Sequence, residues 1–262
     1  MTDTWFGPKL EEFLDQGFVK LPVSLGENFK NFEKEIGDFS RSEVNAPLFP
    51  LDQTHRFVSA DQINQFRLNA IRFVNKCPFR SQVLKELVPF FKFVLGEDLA
   101  VQKSMNLVVV PPEDITSVIP LHADTWTGHS RFELTILFSM TEITPSHKMF
   151  LLPLKEWSKN ERKLQGVTRL QQIYEKYEKR FHFLDLKPGE VLMFWHHLPH
   201  GNGAHQVDKT HWSLNFRVKN IFTPYGEKGL GDYFIPYQGS CFNEFVFRES
   251  EYAKDRTVGI KS

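Results

Sequence analysis

The chain has 262 residues, 41% hydrophobic and 24% charged, which suits one large domain or a domain with embellishments. Its 32 basic and 32 acidic residues cancel, so no cationic excess draws it to nucleic acid or to an anionic membrane. Only Cys77 and Cys241 are present, which excludes a disulfide framework and a cysteine-based zinc site.

A reduced, cytoplasmic setting is the corresponding expectation. Met1 to Leu10 carries Asp3, Gly7 and Pro8 and lacks the apolar h-region of a secretory signal. No stretch reaches the ~18 apolar residues of a membrane span. The 26 phenylalanines favour a dense core with aromatic-lined pockets.

Residues 8–16 read as a short helix ended by Gly17, and Phe18 to Leu21 as a strand. Residues 40–56, with Pro47 and Pro50, read as irregular. From Asp61 to Lys76, Ile63, Phe66, Ala70 and Val74 recur at helical spacing, with Asp61 placed to cap. Residues 80–95 predict a second helix, interrupted by Pro89 and closed by Gly96.

The character changes near Val101. Met105 to Val110 is a β run stopped by Pro111-Pro112, and Val118 to Leu121 reads as a strand leading into His122-Ala123-Asp124. Phe132 to Met140 alternates apolar with polar residues, as a strand with two different faces does. Met149 to Leu152 is another short strand, and residues 158–180 form a charged surface helix bearing Glu161, Lys163, Glu175, Lys176, Glu178 and Lys179. Pro188-Gly189 turns into the strand Val191 to Trp195. In the last strand, His211 to Phe222, Trp212, Leu214, Phe216 and Val218 point one way and His211, Ser213, Asn215, Arg217 and Lys219 the other. The expected fold is mainly β with flanking helices. Its core is a double-stranded β-helix (jelly roll, cupin-like) over residues 101–235. A mostly helical N-terminal segment, residues 1–100, precedes the core and an extension, residues 236–262, follows it, all in one domain.

His122 and Asp124, two apart at a strand end, put an imidazole and a carboxylate on one face. With a distant histidine they make the 2-His-1-carboxylate set that holds Fe(II) and leaves coordination positions open. Five of the ten histidines lie between 196 and 211. His200 precedes Gly201-Asn202-Gly203, where backbone can approach a metal, and is the first choice, with His205 second. His196 and His197, nearer the strand end, could also reach inward. Arg217, on the inward face of its strand, requires a carboxylate partner, either an acidic side chain or a dicarboxylate cosubstrate. Gln102 and Asn106, placed on the strand before the His-x-Asp strand, are either pocket-lining hydrogen-bonding groups or satisfied edge residues. Trp126 either stacks on a substrate ring or packs its loop.

Phe132-Glu133-Leu134, Pro188-Gly189-Glu190-Val191-Leu192, His200-Gly201-Asn202 and Trp212-Ser213-Leu214-Asn215-Phe216-Arg217 resemble the Fe(II)/2-oxoglutarate-dependent oxygenase superfamily. The subgroup they most resemble is found in carbohydrate and aminoglycoside biosynthesis clusters. The resemblance covers roughly residues 100–235. It implies His122, Asp124 and His200 as iron ligands, 2-oxoglutarate as cosubstrate, O2 as oxidant, and a small-molecule substrate, a sugar or sugar-derived metabolite. It also exposes a departure. Members of the superfamily commonly carry an arginine eleven residues after the distal histidine and a serine two further on; Ser213 is in place, but His211 holds the arginine position. Either Arg217 takes over that role or cosubstrate binding is altered. A cupin-like metal-dependent sugar isomerase or epimerase, and a non-catalytic binding module, are the alternatives on the same fold.

Overall fold

The computed structural model describes residues 6–21, 26–47, 49–158, 170–240 and 243–244. Four helices come first: α1 (Phe6–Gln16), α2 (Gly26–Val44), α3 (Ile63–Val74) and α4 (Phe79–Leu95). Each buries residues on its inner face, such as Phe32, Ile36 and Ser40 on α2, and Ile63, Phe66, Ala70 and Val74 on α3. Gly17, at φ +78°, ends α1 where a side chain would strain the backbone, and its N–H closes onto Phe13 O at 2.6 Å.

Ten strands follow or intervene among the described residues: β1 (Phe18–Leu21), β2 (Leu99–Gln102), β3 (Asn106–Val110), β4 (Glu133–Ser139), β5 (Met149–Leu151), β6 (His182–Phe183), β7 (Val191–Trp195), β8 (His200–Asn202), β9 (His211–Asn220) and β10 (Phe234–Gln238). The larger sheet runs β1-β7-β4-β9-β2-β10, with β3 also paired to β9. The smaller runs β6-β5-β8. Every strand pair is antiparallel. An antiparallel bridge between His122 and His200 joins the segment after β3 to β8. Two sheets and a helical layer make the double-stranded β-helix expected from the sequence.

β9 is the spine. Trp212, Leu214, Phe216 and Val218 enter the core between the large sheet and the helices, while Ser213, Asn215 and Arg217 line a cavity on the opposite face. Phenylalanines fill the first interface: Phe32 stacks on Phe79 at 3.9 Å between centroids, and Phe79 meets Phe138 edge-on at 5.0 Å.

Several sequence expectations need correction. Residues 40–44 are the end of α2, and Leu51–Arg56 is a 3-10 turn rather than irregular chain. Asp61 does not cap α3; Gln62 occupies that position, and Asp61 accepts a hydrogen bond from Ser59 Oγ. Pro89 lies inside α4 without interrupting it. Val118 to Leu121 is not a strand, because its carbonyls and amides bond to side chains and to Asn202 instead of a ladder. Of the charged helix placed at 158–180, two short helices, α5 (Leu154–Ser158) and α6 (Leu170–Tyr177), flank 159–169, which lie outside the described residues together with Glu161 and Lys163.

Candidate metal centre

The bridge between His122 and His200 brings the two imidazoles together. Each backbone donates to the other's carbonyl (2.9 and 2.7 Å), leaving ring centroids 4.3 Å apart. Asp124 starts a 3-10 turn, Asp124–Thr127, and its N–H is pinned to His196 O at 3.1 Å. Asp124 Oδ1 then lies 3.5 Å from His122 Nε2 and 3.9 Å from His200 Nε2.

The tautomers are set by backbone. His122 Nδ1 donates to Pro120 O at 2.9 Å and His200 Nδ1 to Leu198 O at 2.8 Å, so each ring, in its neutral form, turns an Nε2 lone pair toward Asp124. Two lone pairs and a carboxylate oxygen facing one another repel unless a cation lies among them. The donor set therefore fits a divalent metal ion, and the three residues converge within ligand distance of each other.

Electrostatics keep Asp124 ionised and His200 neutral, while at His122 burial is outweighed by the approach of Asp124, which raises that imidazole above its ordinary value, so a metal ion there competes with a proton. Burial opposes the charge on Asp124, but the approach of His122 and His196 and the charges around it outweigh that cost and hold its carboxyl well below the usual range. Burial pushes His200 down to about 4, so it is neutral at physiological pH. Arg217 grips the other oxygen, Asp124 Oδ2, through Nη2 at 2.6 Å and Nε at 3.1 Å. Its Nη1 donates to Gln102 Oε1 and to Tyr233 Oη, at 3.2 and 3.1 Å. Asp124 is thus clamped with one oxygen committed to Arg217 and one facing the histidines.

Behind Asp124 lies a second polar cluster, His129, Glu133 and His196, all buried or nearly so; of these the sequence singled out only His196 as able to reach inward. His129 Nδ1 and Ser130 N donate to the two oxygens of Glu133 at 2.8 and 2.9 Å, and His196 Nε2 donates to Ser130 O at 2.6 Å. With both Glu133 oxygens taken by N–H donors, this cluster supports Asp124 rather than offering a second ion a cage. A charged residue at the head of a strand whose other polar members, Thr135 and Ser139, are uncharged was the sequence clue to it.

The other expected residues are distributed as follows. Gln102 and Asn106 lie on separate strands, β2 and β3, and form a relay: Gln102 Nε2 donates to Asn106 Oδ1 (3.4 Å) and Asn106 Nδ2 to Asn215 Oδ1 (3.0 Å). Ser213 lines the cavity, and His211 stands behind it with Nε2 3.1 Å from Ser213 Oγ. His205 is remote from Asp124 and bonds to Val110 O, and His197 pairs with Thr125 Oγ1. Trp126 is 41% exposed and meets Trp157 edge-on. The cavity, about 330 Å³, has His122, Asp124, His200 and Arg217 at one side and apolar walls from Leu137, Phe150, Leu192 and Phe194. Gly201 has a different reason from the one its sequence suggested: a Cβ there would lie 2.7 Å from Ile119 O, so the glycine admits neighbouring backbone rather than metal.

No protein-family profile matches the sequence, and no curated protein matches it. Solved structures do resemble it. ThoJ, a non-heme monooxygenase in its apo form, superposes with TM-score 0.56 at 15% identity over 94% of this chain and 96% of its own. HygX from Streptomyces hygroscopicus, crystallised with nickel and 2-oxoglutarate, gives 0.56 at 14% over 83% and 88%. EctD from S. alaskensis with bound Fe gives 0.54 at 16% over 83% and 78%. The likeness is one of fold, and it is the fold that the sequence resemblance implied. Among the described residues, no helix is long and apolar enough to cross a membrane.

Proposed function

We propose that the chain is an Fe(II)/2-oxoglutarate-dependent oxygenase that oxidises a C–H bond of a small molecule, with a sugar or sugar-derived metabolite as the substrate class. The observation that carries this is the convergence of two Nε2 atoms and one carboxylate oxygen at the wall of a cavity open to one side. His122, Asp124 and His200 would hold a ferrous ion from one side and leave the cavity side open. When bound, iron and 2-oxoglutarate supply the oxidising equivalent from O2, and the cosubstrate leaves as succinate and carbon dioxide.

The chain's own residues position and shield. Arg217 turns Asp124 so that one oxygen faces the ion site, and the Pro120 and Leu198 carbonyls keep both Nε2 atoms aimed at it. Gln102, Asn106 and Asn215 form a polar wall, while Leu137, Phe150 and Phe194 exclude water. For the far carboxylate of 2-oxoglutarate, Arg217 and Ser213 are the candidates that line the cavity, with His211 backing Ser213. Trp126 offers an exposed ring face to a substrate.

Anaerobic addition of Fe(II) and then 2-oxoglutarate should produce a visible charge-transfer absorption, and air should then yield succinate. Asp124→Ala should lose both. A wild-type protein that binds neither, or a variant that keeps turning over, refutes the assignment.

A further inference from the structure

Three histidines outside the metal centre are buried together. His147, His205 and His211 are each at most 2% exposed, and the ring of His147 lies 4.9 Å from that of His205 and 6.2 Å from that of His211. Each has one nitrogen without a hydrogen-bond partner: His147 Nε2, His205 Nδ1 and His211 Nδ1. Buried polar atoms are rarely left so.

At His147 and His205 the partners fix which of these atoms carries hydrogen; at His211 the partner is a hydroxyl, which can donate or accept. Backbone N–H only donates, and Thr144 N donates to His147 Nδ1 at 3.0 Å, so the Nε2 of a neutral His147 carries hydrogen. A carbonyl only accepts, and His205 Nε2 lies 3.2 Å from Val110 O, so its Nδ1 is a lone pair. Burial holds all three rings below the ordinary histidine value, with further lowering from His205 at His147, from Lys148 and His55 at His205, and from His147 and His205 at His211, which favours the neutral forms. A metal ion needs a lone pair from every ligand, and His147 presents a hydrogen. One water molecule matches the set instead: it accepts from His147 Nε2 and donates to His205 Nδ1 and His211 Nδ1, the three bonds typical of buried water.

We infer that this imidazole cluster holds one water and thereby fixes His211 with hydrogen on Nε2, which donates to Ser213 Oγ and turns the serine hydroxyl hydrogen into the cavity. Ser213 is then a donor aimed at a ligand oxygen, and His147, His205 and His211 are positioning residues acting through it. Resting on the oxygenase reading, the oxygen concerned belongs to the far carboxylate of 2-oxoglutarate. A neutral relay thus stands beside Arg217, whose Nη2 and Nε are engaged by Asp124, and adds a donor where His211 takes the place of the usual arginine.

The first test needs no turnover. Long-range 1H–15N correlation on the metal-free, full-length protein, with imidazoles assigned by substitution, should show His211, His147 and His205 all as Nε2–H tautomers. An Nδ1–H tautomer or an imidazolium at His211 overturns the inference, whatever the protein's activity. The second test measures 2-oxoglutarate binding to the Ni(II)-loaded protein. His211→Phe should weaken it about tenfold, because the Ser213 hydroxyl is no longer held with its hydrogen toward the cavity, with Ni(II) affinity unchanged. His211→Gln, whose amide can donate to Ser213, should recover most of the loss. Equal binding by wild type and His211→Phe, or equal loss in both variants, overturns it. If wild-type protein binds no 2-oxoglutarate, the oxygenase reading fails and the tautomers still decide the relay.

Discussion

At the residue scale, hydrogen-bond direction does most of the selecting. Carbonyls at Pro120 and Leu198 leave His122 and His200 with lone pairs facing Asp124, whereas an amide at Thr144 leaves His147 with a hydrogen. On the proposed readings, identical side chains are thereby sorted into candidates for a metal ion and candidates for a water. None of this was legible in the sequence, which offers ten histidines and no orientation. It did allow His122, Asp124 and His200 to be singled out by spacing and by the glycines after His200, and the structure brings these three together. Arg217 was legible as a buried cation needing a carboxylate, but not that the carboxylate would be Asp124. The buried imidazoles also set an acid limit. His211 is pushed down to about 3 in the folded protein, so the unfolded chain takes a proton near its ordinary value of 6.5 while the folded one does not. Stability contributed by His211 is therefore full above about pH 6.5 and is lost as pH falls toward 3, by at most about 1.4 kcal/mol per pH unit. Urea unfolding from pH 7.5 to 4.5 should show a shallower pH dependence in His211→Leu than in wild type.

At the element scale, the segments that build the site are irregular, which is why the sequence pattern misjudged them. Residues 118–121 read as a strand by composition, yet Ile119 N is taken by Asn202 Oδ1 and Pro120 O by His122 Nδ1. By contrast β4, β7 and β9 were recovered within a residue or two: alternation marks β4 and β9, and a short apolar run after the Pro188-Gly189 turn marks β7. The end of α2 was lost to the prolines beyond it, although Phe32 and Ile36 already mark its buried stripe. Gly201 is where β8 presses on residues 119–120, and an alanine Cβ would stand 2.7 Å from Ile119 O and 3.1 Å from Pro120 O. Both neighbours are backbone and cannot swing aside. Gly201→Ala should part the two segments, weaken Ni(II) binding by about tenfold or more, and leave the far-UV circular dichroism unchanged. Gly7→Ala, with nothing within 4 Å of its Cβ, should leave Ni(II) binding as in wild type.

For the whole molecule, the architecture separates two tasks. Phenylalanine-rich packing between α1–α4 and the large sheet supplies rigidity on one face, and the cavity face is left free for polar groups. The fold class was readable because this division appears in β9 as strict alternation; the helical count was only half readable. The pairing of residues 122 and 200 is an isolated bridge, not a ladder. An ion there would act as a clasp on a seam whose own donors push apart. Adding Ni(II) or Zn(II) at a hundred times its dissociation constant should raise stability by about 2.7 kcal/mol, read as a rise in melting temperature that Asp124→Ala lacks. Because those ions bind nitrogen and oxygen donors more tightly than Fe(II) does, the seam would be fastened more firmly by them than by iron. Material recovered from cells would then arrive fastened by whichever ion was plentiful, well folded and idle, until stripped and refilled with ferrous iron.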